Sequence, residues 1–143
     1  MSFNVLIVDD SKSVRSVIKK IITISGFHMD RCYEAANGKQ ALEILSKEWV
    51  DIILSDLNMP EMNGLEMLAA IKADRHLQEI PVIVISTEGG DDKRNAALEM
   101  GAKQFIKKPF SPEYVRKVLY EVIGMEDEKR DERDERDNDG GDF

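Results

Sequence analysis

Four stretches of the chain are nearly continuous in aliphatic and β-branched residues: Val5-Leu6-Ile7-Val8, Ile52-Ile53-Leu54, Val82-Ile83-Val84-Ile85 and, more weakly, Phe105-Ile106. No polar residue alternates with them, which predicts strands covered on both faces. His28 to Ala35 is mixed in character; its neighbours require a strand there, and its polarity places that strand near a sheet edge.

Between these runs the apolar residues change period. Val14, Val17, Ile18, Ile21 and Ile22 recur at three- and four-residue steps, with Arg15, Ser16, Lys19 and Lys20 on the other side, so a helix with one buried stripe is predicted, ending at Gly26. Ala41, Leu42, Ile44 and Leu45 mark a second helix after the turn dipeptide Asn37-Gly38, and Leu65, Leu68, Ala69 and Ile71 a third after Asn63-Gly64. Ala96, Ala97 and Met100 mark a fourth, stopped by Gly101. Val115, Val118, Leu119 and Val122 mark a fifth, with Ser111 as N-cap and Pro112 at the first helical position. The order βαβαβαβαβα predicts an α/β three-layer sandwich, a parallel sheet with helices on both faces.

A chain of 143 residues fits one domain on the usual scale of roughly 100 to 200 residues each. That domain is expected to occupy residues 1–124. Residues 125–143 hold ten Asp or Glu against four Lys or Arg and no apolar stripe, so they form an acidic, charged C-terminal tail. Pairs such as Glu126 with Arg130 and Glu132 with Arg136 have the spacing to prolong the last helix, and otherwise the composition predicts disorder. A solvated tail is the plain reading and a docking or solubilising arm the sharper one.

The net charge of −8 argues against a nucleic-acid partner, which calls for a basic patch. No apolar run approaches the ~20 residues that cross a bilayer, so no membrane insertion is expected. The start, Met1-Ser2-Phe3-Asn4, carries no basic and apolar leader, and the expected compartment is cytoplasmic. Cys32 is the sole cysteine and is expected to pack half-buried, leaving no internal disulfide and no thiolate metal site.

In an open parallel sheet, ligands bind beyond the carboxyl ends of the strands. Strand 1 is followed by Asp9-Asp10, strand 3 by Ser55-Asp56, strand 4 by Ser86-Thr87 and strand 5 by Lys107-Lys108-Pro109. Each aspartate taken singly is an ordinary turn or cap residue; as a set they bring three carboxylates, hydroxyls and an ammonium to one rim. Carboxylates so gathered repel, and protons or a hard cation must relieve them. All-oxygen donors select Mg²⁺, with Mn²⁺ as the substitute, whereas His28 and His76 are poorly placed for zinc or copper. A carboxylate beside a divalent cation can attack phosphorus and form an aspartyl phosphate.

Val5-Leu6-Ile7-Val8-Asp9-Asp10-Ser11, Ser55-Asp56-Leu57-Asn58-Met59-Pro60-Glu61-Met62-Asn63-Gly64, Val84-Ile85-Ser86-Thr87 and Ile106-Lys107-Lys108-Pro109-Phe110 together resemble the receiver domain of two-component response regulators, of the chemotaxis type. The resemblance covers residues 3 to 123. It implies a flavodoxin-like fold with five parallel strands in the order 2-1-3-4-5 and five helices. It also implies Asp56 as phosphoacceptor, Asp10 as direct metal ligand, Asp9 holding a metal-bound water, and the Asn58 backbone carbonyl on the metal. Lys108 would pair with Asp56 and then with the phosphoryl group, beside a cis bond to Pro109. Ser86 would bond a phosphoryl oxygen, because it lies 22 positions before Lys108, the family's separation; Thr87 is one place out of register. Phe105 matches the aromatic switch position, and Asn58 and Glu88 flank the site where they would tune the phosphate's lifetime.

The implied function is a switch that catalyses its own phosphotransfer from a sensor histidine kinase or phosphotransfer protein and slowly loses the phosphate. It would signal, expected as a monomer, by binding an output protein on the face of helix 4, strand 5 and helix 5, in chemotaxis or a phosphorelay. The rival from enzyme chemistry is a metal-dependent phosphohydrolase with an aspartate nucleophile. That class places an acid-base carboxylate two residues after the nucleophile, where this chain has Asn58.

Overall fold

A computed structural model describes residues 2–86 and 90–124. Ten elements alternate along them: β1 Phe3–Val8, α1 Lys12–Ser25, β2 Met29–Ala35, α2 Gly38–Leu45, β3 Ile52–Ser55, α3 Gly64–Ala73, β4 Val82–Ser86, α4 Asp91–Glu99, β5 Gln104–Lys107 and α5 Pro112–Ile123. The strands form one parallel sheet in the order β2-β1-β3-β4-β5. This is the expected fold, with the mixed strand β2 at an edge.

Side chains of successive strand residues point to opposite faces, and that alternation sorts the apolar runs into two cores. Leu6, Val8, Ile53, Val82, Val84 and Phe105 pack with Ala41 and Leu45 of α2, Met67, Leu68 and Ile71 of α3, and Ala97 of α4. Val5, Ile7, Ile52, Leu54, Ile83, Ile85 and Ile106 pack with Ile18 and Ile22 of α1 and Val115, Val118 and Leu119 of α5. Cys32 packs at the margin of this second core, and burial pushes its thiol above the usual range.

Helix ends follow the local chemistry. Ser11, Asn37, Asn63 and Ser111 each accept the backbone N–H of the third residue of the helix they begin. Asn63 and Glu66 complete a reciprocal capping box. Gly26 ends α1 with φ +86°. Two apolar positions depart from expectation. Val17, assigned to the buried stripe of α1, is 55% exposed, because the sheet covers only the arc centred on Ile18 and Ile22. Met100 lies past the end of α4 and is exposed, which leaves Ala97 as the buried residue of that helix.

Gly90 begins α4 without a side-chain cap, and open space surrounds the position a Cβ would take. Gly90→Ser should therefore fold normally and raise the melting temperature slightly, since a serine cap improves on glycine by a few tenths of a kcal/mol. Thermal denaturation checks this; a lower Tm would contradict it.

Residues 125–143 lie outside the described residues, as do Thr87 and Glu88. Among the described residues no helix is long and apolar enough to cross a membrane.

Candidate metal and phosphoryl site

The strand register explains the site. Val8 pairs with Ser55, Ser55 with Val84, and Val84 with Phe105, which makes one row across four strands. One residue further along, Asp9 and Asp56 emerge side by side, and the Asp56 N–H donates to the Val8 carbonyl at 2.9 Å. One residue further again, Ser86 pairs with Lys107, and the Lys108 N–H donates to the Ser86 carbonyl at 3.0 Å. Strand order reverses at β1, whose neighbours are β2 and β3, so the following loops diverge and leave a crevice there.

One carboxylate oxygen from each of Asp9, Asp10 and Asp56 lies within 4.8 Å of the others. Asp9 is buried, Asp56 half-buried and Asp10 exposed, so the cluster opens to solvent on one side. Asp9 is anchored twice: Oδ1 accepts the Ser11 N–H at 2.9 Å, and its carbonyl accepts Arg15 Nη1 at 2.7 Å. Asp56 Oδ1 accepts the Leu57 N–H at 2.7 Å. Burial pushes the Asp56 carboxyl above the usual range; the Leu57 N–H lowers it, Asp9 raises it, Lys108 lowers it and Asp10 raises it. Such a crowded, hard-oxygen donor set suits a small divalent cation.

The Lys108–Pro109 peptide is cis. The Lys108 ammonium lies 3.8 Å from Asp9 Oδ2 and also lowers the Asp56 carboxyl, so it sits between the two carboxylates' influence. Ser86 is buried at the end of β4 and Phe105 is buried beside it on β5. Asn58 is exposed and borders a cleft with Asp92, Lys93 and Ala96 of α4. Glu88 lies outside the described residues.

Gly64 and Arg15 also build the site, and neither was singled out from sequence. A Cβ on Gly64 would overlap the Asp56 carbonyl oxygen and sit 2.9 Å from the Leu57 Cα. Its N–H donates to the Leu57 carbonyl at 2.8 Å, which clamps the start of α3 onto the loop carrying Asp56. The signal was present in Asn63-Gly64, but a turn dipeptide does not say what the turn presses against. Gly64→Ala should destabilise the fold by about 1–3 kcal/mol and weaken Mg²⁺ binding, because the loop must retreat. Thermal melts with and without Mg²⁺ would check this; unchanged affinity would mean the loop absorbs the methyl elsewhere.

The family model described as "Response regulator receiver domain" matches residues 5–120. The chain belongs to the response regulator receiver family. A "Chemotaxis protein CheY homolog" of Campylobacter jejuni is 39% identical over 120 residues, covering 83% of this chain and 91% of that protein. Among solved structures, the chemotaxis response regulator CheY4 of Vibrio cholerae is similar at TM-score 0.74 and 33% identity, over 85% of this chain and 99% of that one. A receiver domain of a sensor histidine kinase from Pseudomonas aeruginosa, described with a magnesium ion coordinated in its active-site cleft, has TM-score 0.76 and 24% identity, over 87% and 99%. This receiver therefore resembles chemotaxis-type members, and phosphorylation and Mg²⁺ dependence are properties of its family.

Proposed function

We propose that this receiver accepts a phosphoryl group on Asp56 from a phosphohistidine of a sensor kinase or phosphotransfer protein. The observation that carries the reading is the convergence of the Asp9, Asp10 and Asp56 carboxylates at the rim where β1 and β3 end. Asp9, Asp10, Asp56 and the Asn58 carbonyl would hold Mg²⁺, which when bound supplies positive charge to phosphoryl oxygens. One Asp56 oxygen is held by the Leu57 N–H, and the other is left to attack phosphorus. As the new O–P bond forms, the donor's N–P bond breaks and its electron pair returns to the imidazole nitrogen. The Lys108 ammonium leaves Asp9 for the incoming phosphoryl oxygens, and the Ser86 hydroxyl donates to another. Drawing Ser86 toward the phosphate frees space beside Phe105, which biases the face of α4, β5 and α5 toward its output partner. Asn58 and Glu88 tune hydrolytic release.

The chemotaxis proteins among its relatives favour a chemotaxis output, with a phosphorelay as the other pathway. Residues 1–124 act as the switch, a monomer in the cytoplasm. Incubation with acetyl phosphate and Mg²⁺ followed by intact-mass measurement tests the reading. One added phosphoryl group, absent when EDTA is present, is expected. Continuous release of inorganic phosphate with no adduct would instead support a phosphohydrolase.

A further inference from the structure

Arg15 does more at the site than helix formation asks of it. It stands fourth in α1, near the positive end of the helix dipole, where a cation adds nothing to helix stability. Its side chain is 14% exposed and reaches in two directions at once: Nη1 donates to the Asp9 carbonyl at 2.7 Å and Nε to Glu34 Oε1 at 2.9 Å. The sheet register brings that second partner within reach. Glu34 pairs with Ile7, whose side chain lies in the core on the α1 side, so the Glu34 carboxylate faces α1 as well. Val8 pairs with Ala35, and the Asp9 N–H donates to the Ala35 carbonyl at 3.0 Å. Both backbone polar groups of Asp9 are thus held, one by β2 directly and the other by Arg15, which Glu34 ties to the same strand.

We propose that Arg15 is a positioning residue for the metal site, with Glu34 holding its guanidinium, and that the pair sets the direction in which Asp10 presents its carboxylate. The inference rests on the reading of the Asp9, Asp10 and Asp56 cluster as the Mg²⁺ site. The Asp9 carbonyl and the Asp10 N–H belong to one planar peptide unit, so a bond that fixes the carbonyl fixes the plane from which Asp10 departs. Asp10 needs that support more than the other two. Asp9 is buried and Asp56 is half-buried with its Oδ1 on the Leu57 N–H, whereas Asp10 is exposed, two residues past the end of β1. The role calls for a planar fork: a guanidinium donates along two fixed directions, which a single ammonium cannot match. Glu34 also offsets the Arg15 charge, so the carboxylates keep their pull on a cation while the loop is held.

Charge and positioning act on Mg²⁺ affinity with opposite signs. Arg15→Met keeps an unbranched stem and removes a positive charge near the carboxylates, so charge alone would make Mg²⁺ bind more tightly. With the loop released, the Kd measured by calorimetry should instead rise about 10-fold, the usual loss when a group that orients a metal ligand is removed. Arg15→Lys keeps the charge and should still bind Mg²⁺ less well than the wild type. In EDTA, the ¹H–¹⁵N nuclear Overhauser effects of Asp10 and Ser11 should fall in Arg15→Met, while those of α5 stay at the wild-type level. Val118→Ala, a core change in α5, is the comparison for stability alone: it should lower Tm and leave Mg²⁺ affinity unchanged. An unchanged or lower Kd in Arg15→Met, full affinity in Arg15→Lys, or unaltered Asp10 dynamics overturns the proposal. A wild type that bound no Mg²⁺ would instead refute the phosphoryl-transfer reading, and the metal-free relaxation data would still decide whether Arg15 holds the loop.

Discussion

Asp56→Asn should take up no phosphate from acetyl phosphate and should unfold at a higher temperature than the wild type when no metal is present. Both effects come from one carboxylate. An amide oxygen is a poor nucleophile toward phosphorus, so uptake is lost outright rather than reduced. The stability gain follows from what the ionised group endures: burial raises the Asp56 pKa, and Asp9 and Asp10 raise it further, against the opposing Leu57 N–H and Lys108. A carboxyl that binds its proton more tightly folded than unfolded lowers stability as pH rises from the unfolded value of about 3.9 through the folded one. The deficit is complete above that window and absent below it. Asparagine does not titrate, so the two proteins converge in acid and separate toward neutral pH. Solvent screening of a half-exposed group keeps the separation small. Mg²⁺ should reverse the order, because a ligand at 100 times its Kd stabilises the native state by about 2.7 kcal/mol and the wild type binds it more tightly. Urea titrations at several pH values, with and without Mg²⁺, check each sign. A wild type more stable than Asp56→Asn in EDTA at neutral pH would show that the carboxylates are not in conflict.

Lys108→Ala should slow phosphorylation by acetyl phosphate ~100-fold, the usual loss when one charged donor to a transferring group is removed. It should nonetheless tighten Mg²⁺ binding. The ammonium sits 3.8 Å from Asp9 Oδ2 and lowers the Asp56 carboxyl, so in the resting protein it competes with a cation for the same carboxylates. Removing it leaves three acids with more uncompensated charge. The opposed directions separate a catalytic lysine from a structural one: a variant that merely loosened the site would bind Mg²⁺ less well. Single-turnover rates and Mg²⁺ titrations by calorimetry would resolve the two.

How much of this could be read from the chain depends on the distance over which each property is set. The buried strands were legible because continuous Val, Ile and Leu runs have few other uses in a chain of this size. The helices α1, α2, α3 and α5 were legible because their apolar periods and their Ser11, Asn37, Asn63 and Ser111 caps are local. The fourth was faint for a physical reason, since α4 buries only Ala97 and has little stripe to leave in the sequence. Asp9, Asp10, Asp56, Ser86 and Lys108 stood out as candidates because each ends a strand or lies within two residues of its end, and parallel strands put those ends together.

By itself, then, the amino-acid order determined which segments are strands and helices, which side chains can hold a hard cation, and where excess charge accumulates, all matters of composition and near-neighbour spacing. Folding decided the rest, because it depends on residues far apart in the chain. The pairing of Val8 with Ser55 sets Asp9 against Asp56 across 46 intervening positions, the sheet covers Ile18 and leaves Val17 bare, Lys108 comes to Asp9, and Gly64 is pressed onto the Asp56 carbonyl. No local pattern encodes those distances, since each is fixed only when the second partner arrives.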